Sequence, residues 1–150
     1  MRRGLAKAVA AAMLVTAVFA TSVVIAPGAS AQLRRERMLE KVNHARVQRG
    51  IHRLRMEDYV VTLAREHNLA MARQDRLFHT TDLGTKLTGR VRWHVWGENI
   101  GAGTSVDGLF KAYMASPDHR ANILDRRFDH VGISFVVRDG VMWSTMIFYG

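Results

Sequence analysis

The sequence predicts an α/β fold, a three-layer α/β/α sandwich with a C-terminal antiparallel hairpin. Three observations carry this. Residues 32–49 and 57–74 repeat apolar side chains at helical spacing. Two apolar runs, "HVGISFVV" and "VMWSTMIFYG", flank Arg138-Asp139-Gly140, and Asp-Gly is a strong hairpin-turn signal. The last run is apolar on both of its alternating faces. Val141, Trp143, Ile147 and Tyr149 share one face, and Met142, Met146 and Phe148 share the other. Such a strand must be covered on both sides, and a sheet with helices on both faces makes three layers.

The elements follow in order. In the first helix, Met38, Leu39, Val42 and Ala45 form the apolar stripe, and Gly50 closes the run at a C′ position. The connector "IHRLRM" leads to a second helix over 57–74, striped by Val60, Leu63, Ala64, His67, Ala70 and Met71. A histidine on such a stripe reads as a hydrogen-bonded core residue. Residues 79–92 are polar, contain Gly84 and Gly89, and read as a surface loop. Residues 91–96 read as a short strand, and Gly97, Gly101 and Gly103 mark a turn-rich segment after it. Thr104 with Asp107 suggests a capping box for a third helix striped by Val106, Leu109, Phe110 and Tyr113. Ser116 then caps a short fourth helix, with Pro117 in its first position.

The N-terminus has the layout of an export signal. Arg2, Arg3 and Lys7 precede an uncharged run over 8–25, and Ala29-Ser30-Ala31 is a small-residue cleavage site. The reading is a signal peptide over 1–31, cleaved near Ala31, and a domain over 32–150. The apolar run is also long enough to serve as an uncleaved anchor. The protein is then secreted or associated with the cell envelope, and meets the membrane only through this segment. Cleavage leaves 119 of the 150 residues, enough for one core.

The full chain carries a formal charge of +9, and losing three basic residues with the signal leaves +6. The basic residues are scattered, and no run of them alternates with aromatics, which argues against specific nucleic-acid binding. The chain has no cysteine. Thiol catalysis and cysteine zinc sites are therefore excluded, and an exported domain must be held by its core alone. Gly101-Ala102-Gly103 lacks the third glycine and the lysine of phosphate loops. No His-Glu-x-x-His and no Gly-x-Ser-x-Gly occurs.

What remains is three polar residues in notable places. His79 lies just past the second helix. Glu98 stands between a hydrophobic run and flexible glycines. His119 falls in the first turn of the fourth helix, where the helix dipole disfavours an imidazolium. Two neutral imidazoles and a carboxylate can hold one divalent ion with open positions. The same three residues also read as separate structural hydrogen bonds.

Taken in order, "MLEKVNHARVQRGIHRLRMEDYVVTLAREHNLAMARQDRLFH", "GENIGAG", "SPDHRANILDRRFDHVGISF" and "MWSTMIFYG" resemble the CAP superfamily. This is the cysteine-rich secretory, antigen 5 and pathogenesis-related 1 group, in its bacterial SCP-like branch. The resemblance runs from about Leu33 to Gly150 and implies an α/β/α sandwich. It also implies a shallow central cleft of two histidines and two acidic residues able to bind a divalent metal. The matching positions are His79, Glu98 and His119. The second acidic residue belongs near Tyr113 to Ser116, where this chain has none. Tyr113 stands where tryptophan is common, and Asp118 where glycine is common. Asp118 reads as an extra ligand or as a dipole partner at the helix start. Arg120, Asn122 and Asn99 read as backbone supports of the site, and Asn43 and Arg46 as structural.

The resemblance implies a binding protein acting outside the cytoplasm. Its cleft would hold a lipid, a peptide or an envelope component, with weakly bound zinc as cofactor. A rival reading is a metal-dependent, peptidase-like hydrolase with Glu98 as general base. A third is a basic cell-envelope module that binds anionic polymers or lipids.

Overall fold

The computed structural model describes residues 27–150. Most of the segment read as an export signal lies outside these residues. Among the described residues, no helix is long and apolar enough to cross a membrane.

The chain runs α1 (Pro27–Val47), β1 (Arg55–Met56), α2 (Asp58–Gln74), α3 (Leu83–Leu87), β2 (Trp96–Gly103), α4 (Val106–Ala115), α5 (Pro117–Leu124), β3 (His130–Arg138) and β4 (Val141–Tyr149). The sheet has the order β1-β3-β4-β2, with β1 parallel to β3 and the other pairs antiparallel. The expected hairpin is β3–β4, turning at Asp139 and Gly140, both with positive φ.

Strand β4 is central and covered on both faces, as its pattern requires. Met142, Met146 and Phe148 pack with Met38 and Val42 of α1, Leu109 and Tyr113 of α4, and Ile123 of α5. On the other face Ile147 and Tyr149 meet Val60 and Ala64 of α2 and Leu83 and Leu87 of α3. Trp143 packs with Met71, Ala72 and Ile100. The result is helices α1, α4 and α5, then the sheet, then α2 and α3. Gly132 of β3 lets α2 approach backbone to backbone, since a Cβ there would lie 2.3 Å from the Val60 carbonyl carbon.

Helix α1 ends as its glycine predicts. Gly50 has φ +63°, Ile51 N–H donates to the Arg46 carbonyl and Gly50 N–H to that of Val47. These two bonds make a Schellman motif. Asn43 bonds both ways with the backbone of Leu54. Arg46 is fully buried and donates to the carbonyls of His52, Ile123, Asp125 and Phe128. It ties α1 to the exit of α5 and the entry of β3. Both residues are structural, as expected. His67 is a core residue, with Nε2 2.6 Å from the Phe78 carbonyl oxygen.

Four expectations are corrected. The strand is not at 91–96 but at Trp96–Gly103, so "GENIG" is sheet rather than turn. Its glycines serve close packing. A Cβ at Gly97 would meet Asn122 Oδ1 at 2.8 Å, and one at Gly101 would meet the Tyr113 hydroxyl at 2.8 Å. Residues 79–92 are not all loop, because Leu83 and Leu87 are buried on the short helix α3. Helix α4 is capped by Ser105, whose Oγ accepts from Gly108 N–H, and not by a Thr104–Asp107 box. Asp107 instead pairs with Arg37 and with Lys41 of α1, the latter at 2.7 Å. Finally, Ser116 sits at the N-cap of α5 with Pro117 following, but its side chain makes no capping bond.

Candidate functional site

The fold brings the α2–α3 loop, the start of β2 and the start of α5 to one region. Glu98 of β2 ties that loop to the sheet. Its side chain is only 3% exposed, yet it is not an orphan charge. Oε2 accepts from His79 Nδ1 at 2.7 Å and from Thr80 N–H at 3.0 Å, and Oε1 accepts from Thr80 Oγ1 at 2.5 Å. These bonds compensate its burial. They also engage both carboxylate oxygens.

His79 is the exposed member, with 65% of its side chain open to solvent. A carboxylate accepting at Nδ1 places the proton there, so in the neutral ring Nε2 carries the lone pair. His119 lies across the strand, in the first turn of α5. Its backbone carbonyl accepts from Asn99 Nδ2 at 2.9 Å. Asn122 Nδ2 bonds Asn99 Oδ1 at 2.8 Å and the Glu98 carbonyl at 3.2 Å. Asn99 and Asn122 thus support the site, as the sequence suggests. Arg120 is exposed on α5.

Burial holds the His119 imidazole below its ordinary pKa, and nearby His79 lowers it further, while Asp118 opposes. The Asp118 side chain therefore acts on His119 through its charge at the helix start. Tyr113 occupies the helix on which a second acid was sought. Its ring lies 5.2 Å from that of His119. Burial pushes its phenol far above the usual range, and its hydroxyl faces Ser144 without closing a well-formed hydrogen bond.

The structure joins His79 to Glu98 directly and brings His119 into electrostatic range of His79. Among the described residues, no three histidine or acidic side chains lie close enough to hold a metal ion between them. Thr80 was not anticipated from the sequence. Nothing in "HTTD" distinguishes a threonine that clamps a carboxylate from a loop threonine.

A separate open groove of about 810 Å³ lies between α1 and α4. Arg37, Lys41, Arg49 and Arg53 rim it with Glu40, and Phe110 and Met114 lie along it.

Comparisons with known proteins agree with this architecture. The chain is 25% identical over 115 residues to the uncharacterized protein YkwD of Bacillus subtilis (strain 168), a match covering 73% of this chain and 44% of that protein. The chain thus spans less than half the length of this curated relative. An outer surface protein of Borrelia burgdorferi superposes with a TM-score of 0.72 at 14% identity, covering 79% of this chain and 92% of that one. An extracellular protein with an SCP domain from Bacillus anthracis str. Ames superposes at 0.71 with 21% identity, covering 85% and 45%. A cysteine-rich secretory protein from Staphylococcus aureus gives 0.69 at 25% identity, covering 82% and 40%. The family model for the cysteine-rich secretory protein family matches residues 39–148. With that match across most of the chain, and the sandwich that places His79, Glu98 and His119 around β2, the chain belongs to the cysteine-rich secretory protein (CAP) family.

Proposed function

We propose that this CAP domain acts outside the cytoplasm by binding a ligand in the cleft around His79, Glu98 and His119, and that the cleft takes up a divalent metal, zinc, with low affinity. The observation that carries this reading is the Glu98 carboxylate against His79 Nδ1. A carboxylate behind a histidine fixes its tautomer and aims Nε2 outward, which is the usual support of a zinc-bound imidazole. His119, kept neutral by burial, supplies the second imidazole. On this reading His79 and His119 would be the imidazole ligands, and Glu98, whose oxygens are taken by His79 and Thr80, would stand behind His79 in support rather than as a third ligand. When bound, zinc would supply a Lewis acid and an acidified water.

This assignment favours binding over hydrolysis. Glu98 has both oxygens engaged by His79 and Thr80, so it is poorly placed to take a proton from water. The basic groove between α1 and α4 supports the reading as an envelope module for anionic polymers or lipids. Binding there would weaken steeply with salt, whereas zinc uptake at the histidines would not.

Calorimetric titration of zinc into the wild type and into the His79→Ala/His119→Ala variant tests the metal reading. The expected result is measurable affinity in the first and none in the second. Equal affinity in both would overturn it.

A further inference from the structure

Helix α1 has two working faces. Met38, Val42 and Ala45 are buried on one. On the other, Arg37, Lys41, His44 and Gln48 recur at i, i+4, i+7 and i+11 and form a polar ridge. From Arg37 to Gln48 the ridge spans about 17 Å, at about 1.5 Å per residue. Helix α4 divides in the same way. Leu109 and Tyr113 are buried, while Phe110 and Met114, an i, i+4 pair, stay half-buried. The ridge and this apolar pair line the open groove of about 810 Å³. Val47 joins them and is 52% exposed.

Charge narrows what can fill the groove. Arg37, Lys41, Arg49 and Arg53 line it against one carboxylate, Glu40. Asp107 offsets part of this by pairing with Arg37 and Lys41. Arg49 and Arg53 are exposed and enter no ion pair among the described residues. The occupant must therefore bring negative charge to that end. A second copy of a chain of net charge +9 is disfavoured there. A polyanion without apolar groups would leave Phe110, Met114 and Val47 in water. A lipid tail is held best where most of its surface is enclosed, and this groove is open and polar along α1. An amphipathic helix with acidic flanks meets every condition. Its apolar stripe covers Phe110 and Met114, its carboxylates face Arg49 and Arg53, and its outer face stays in water. Two packed helices present ridges and grooves that a third can fill, and Met114 can adapt to the incoming side chains.

We propose that the α1–α4 groove binds an acidic amphipathic helix, about eleven residues long, from a partner protein. The proposal rests on the reading of this groove as a site for anionic envelope partners, and it narrows that partner to a helix.

The test is fluorescence anisotropy with a pool of labelled, blocked peptides about 15 residues long, a length at which an isolated helix is marginal in water. Leu, Ile, Phe and Met repeat at helical spacing in this pool, with Glu, Gln and Ala elsewhere. The wild type should bind it, and the helical circular dichroism of the peptides should rise on binding. Affinity should fall about tenfold or more in Arg49→Glu/Arg53→Glu, and again in Met114→Lys. The two arginines are exposed, so the double variant should keep the wild-type circular dichroism and stay informative if Met114→Lys folds poorly. A second pool of the same composition, with its apolar residues alternating instead, should bind about tenfold more weakly. Equal binding of the two pools, or equal binding by wild type and Arg49→Glu/Arg53→Glu, would overturn the proposal. Inorganic polyphosphate and phosphatidylglycerol vesicles are the comparison probes. If either binds the wild type and the helical pool does not, the helix proposal falls and the anionic reading of the groove stands. If none of the three binds, both fall.

Discussion

At the scale of single residues, Glu98 decides the chemistry of the cleft. Its carboxylate can only accept, so it selects the Nδ1–H form of a neutral His79. Glu98→Gln keeps the shape but offers an amide whose N–H groups can donate to Nδ1. The expected outcome is a shift of the His79 proton to Nε2, visible in imidazole nitrogen chemical shifts, with zinc affinity weakened about 10–100-fold. An unchanged tautomer with unchanged affinity would remove Glu98 from the site. His119 provides a second handle. Burial lowers its pKa in the fold, so protons bind the unfolded chain more readily. The stability it contributes is fully present above the unfolded value of about 6.5 and falls as pH drops through that value toward the folded one. Denaturant titrations from pH about 7.5 to about 5 should show this fall in the wild type and a shallower one in His119→Gln.

At the scale of elements, β2 and α4 show how a local signal can be displaced. The stretch "TSVDG" offers two hydroxyls for one cap, and the hydrogen bond goes to Ser105. Ser105→Ala should cost about 1 kcal/mol of stability, and Thr104→Ala should stay within about 0.5 kcal/mol. Thermal denaturation of the two variants checks this, and a larger loss from Thr104→Ala would reverse the assignment. The position of α4 matters for the cleft, because Tyr113 lies beside His119 and over Gly101. Asp107 further ties α4 to α1 through Lys41 and Arg37. These ion pairs are exposed and contribute little, so the apolar contacts of Leu109 and Tyr113 carry the packing.

At the scale of the whole molecule, the core does not depend on the histidines. The two faces of β4 are filled by α1, α4 and α5 on one side and by α2 and α3 on the other. Arg46 donates to four backbone carbonyls inside this core without help from the cleft. The fold should therefore survive without metal. A chelator should lower the melting temperature only by the linkage of a weak site. Complete unfolding on chelation, read by circular dichroism, would contradict this.

The amino-acid sequence by itself determined the layers and much of their detail. Helical and strand periodicities report which faces are apolar, so the double cover of β4 was legible in residues 141–149. The Gly50 helix stop and the Asp139-Gly140 turn were legible because φ > 0 is a local requirement that few residues meet. The order of four motifs marked the family and His79, Glu98 and His119 as positions of interest. Only the tertiary structure decided what the glycines of "GENIGAG" are for. A glycine that bends a loop and a glycine that admits a neighbouring side chain look the same in sequence, and here Asn122, Tyr113 and Leu109 are the neighbours. Only the tertiary structure gave Glu98 to His79 and Thr80, residues 19 and 18 positions away. Periodicity describes the exposure of a face, whereas a hydrogen bond between distant segments depends on where packing puts them.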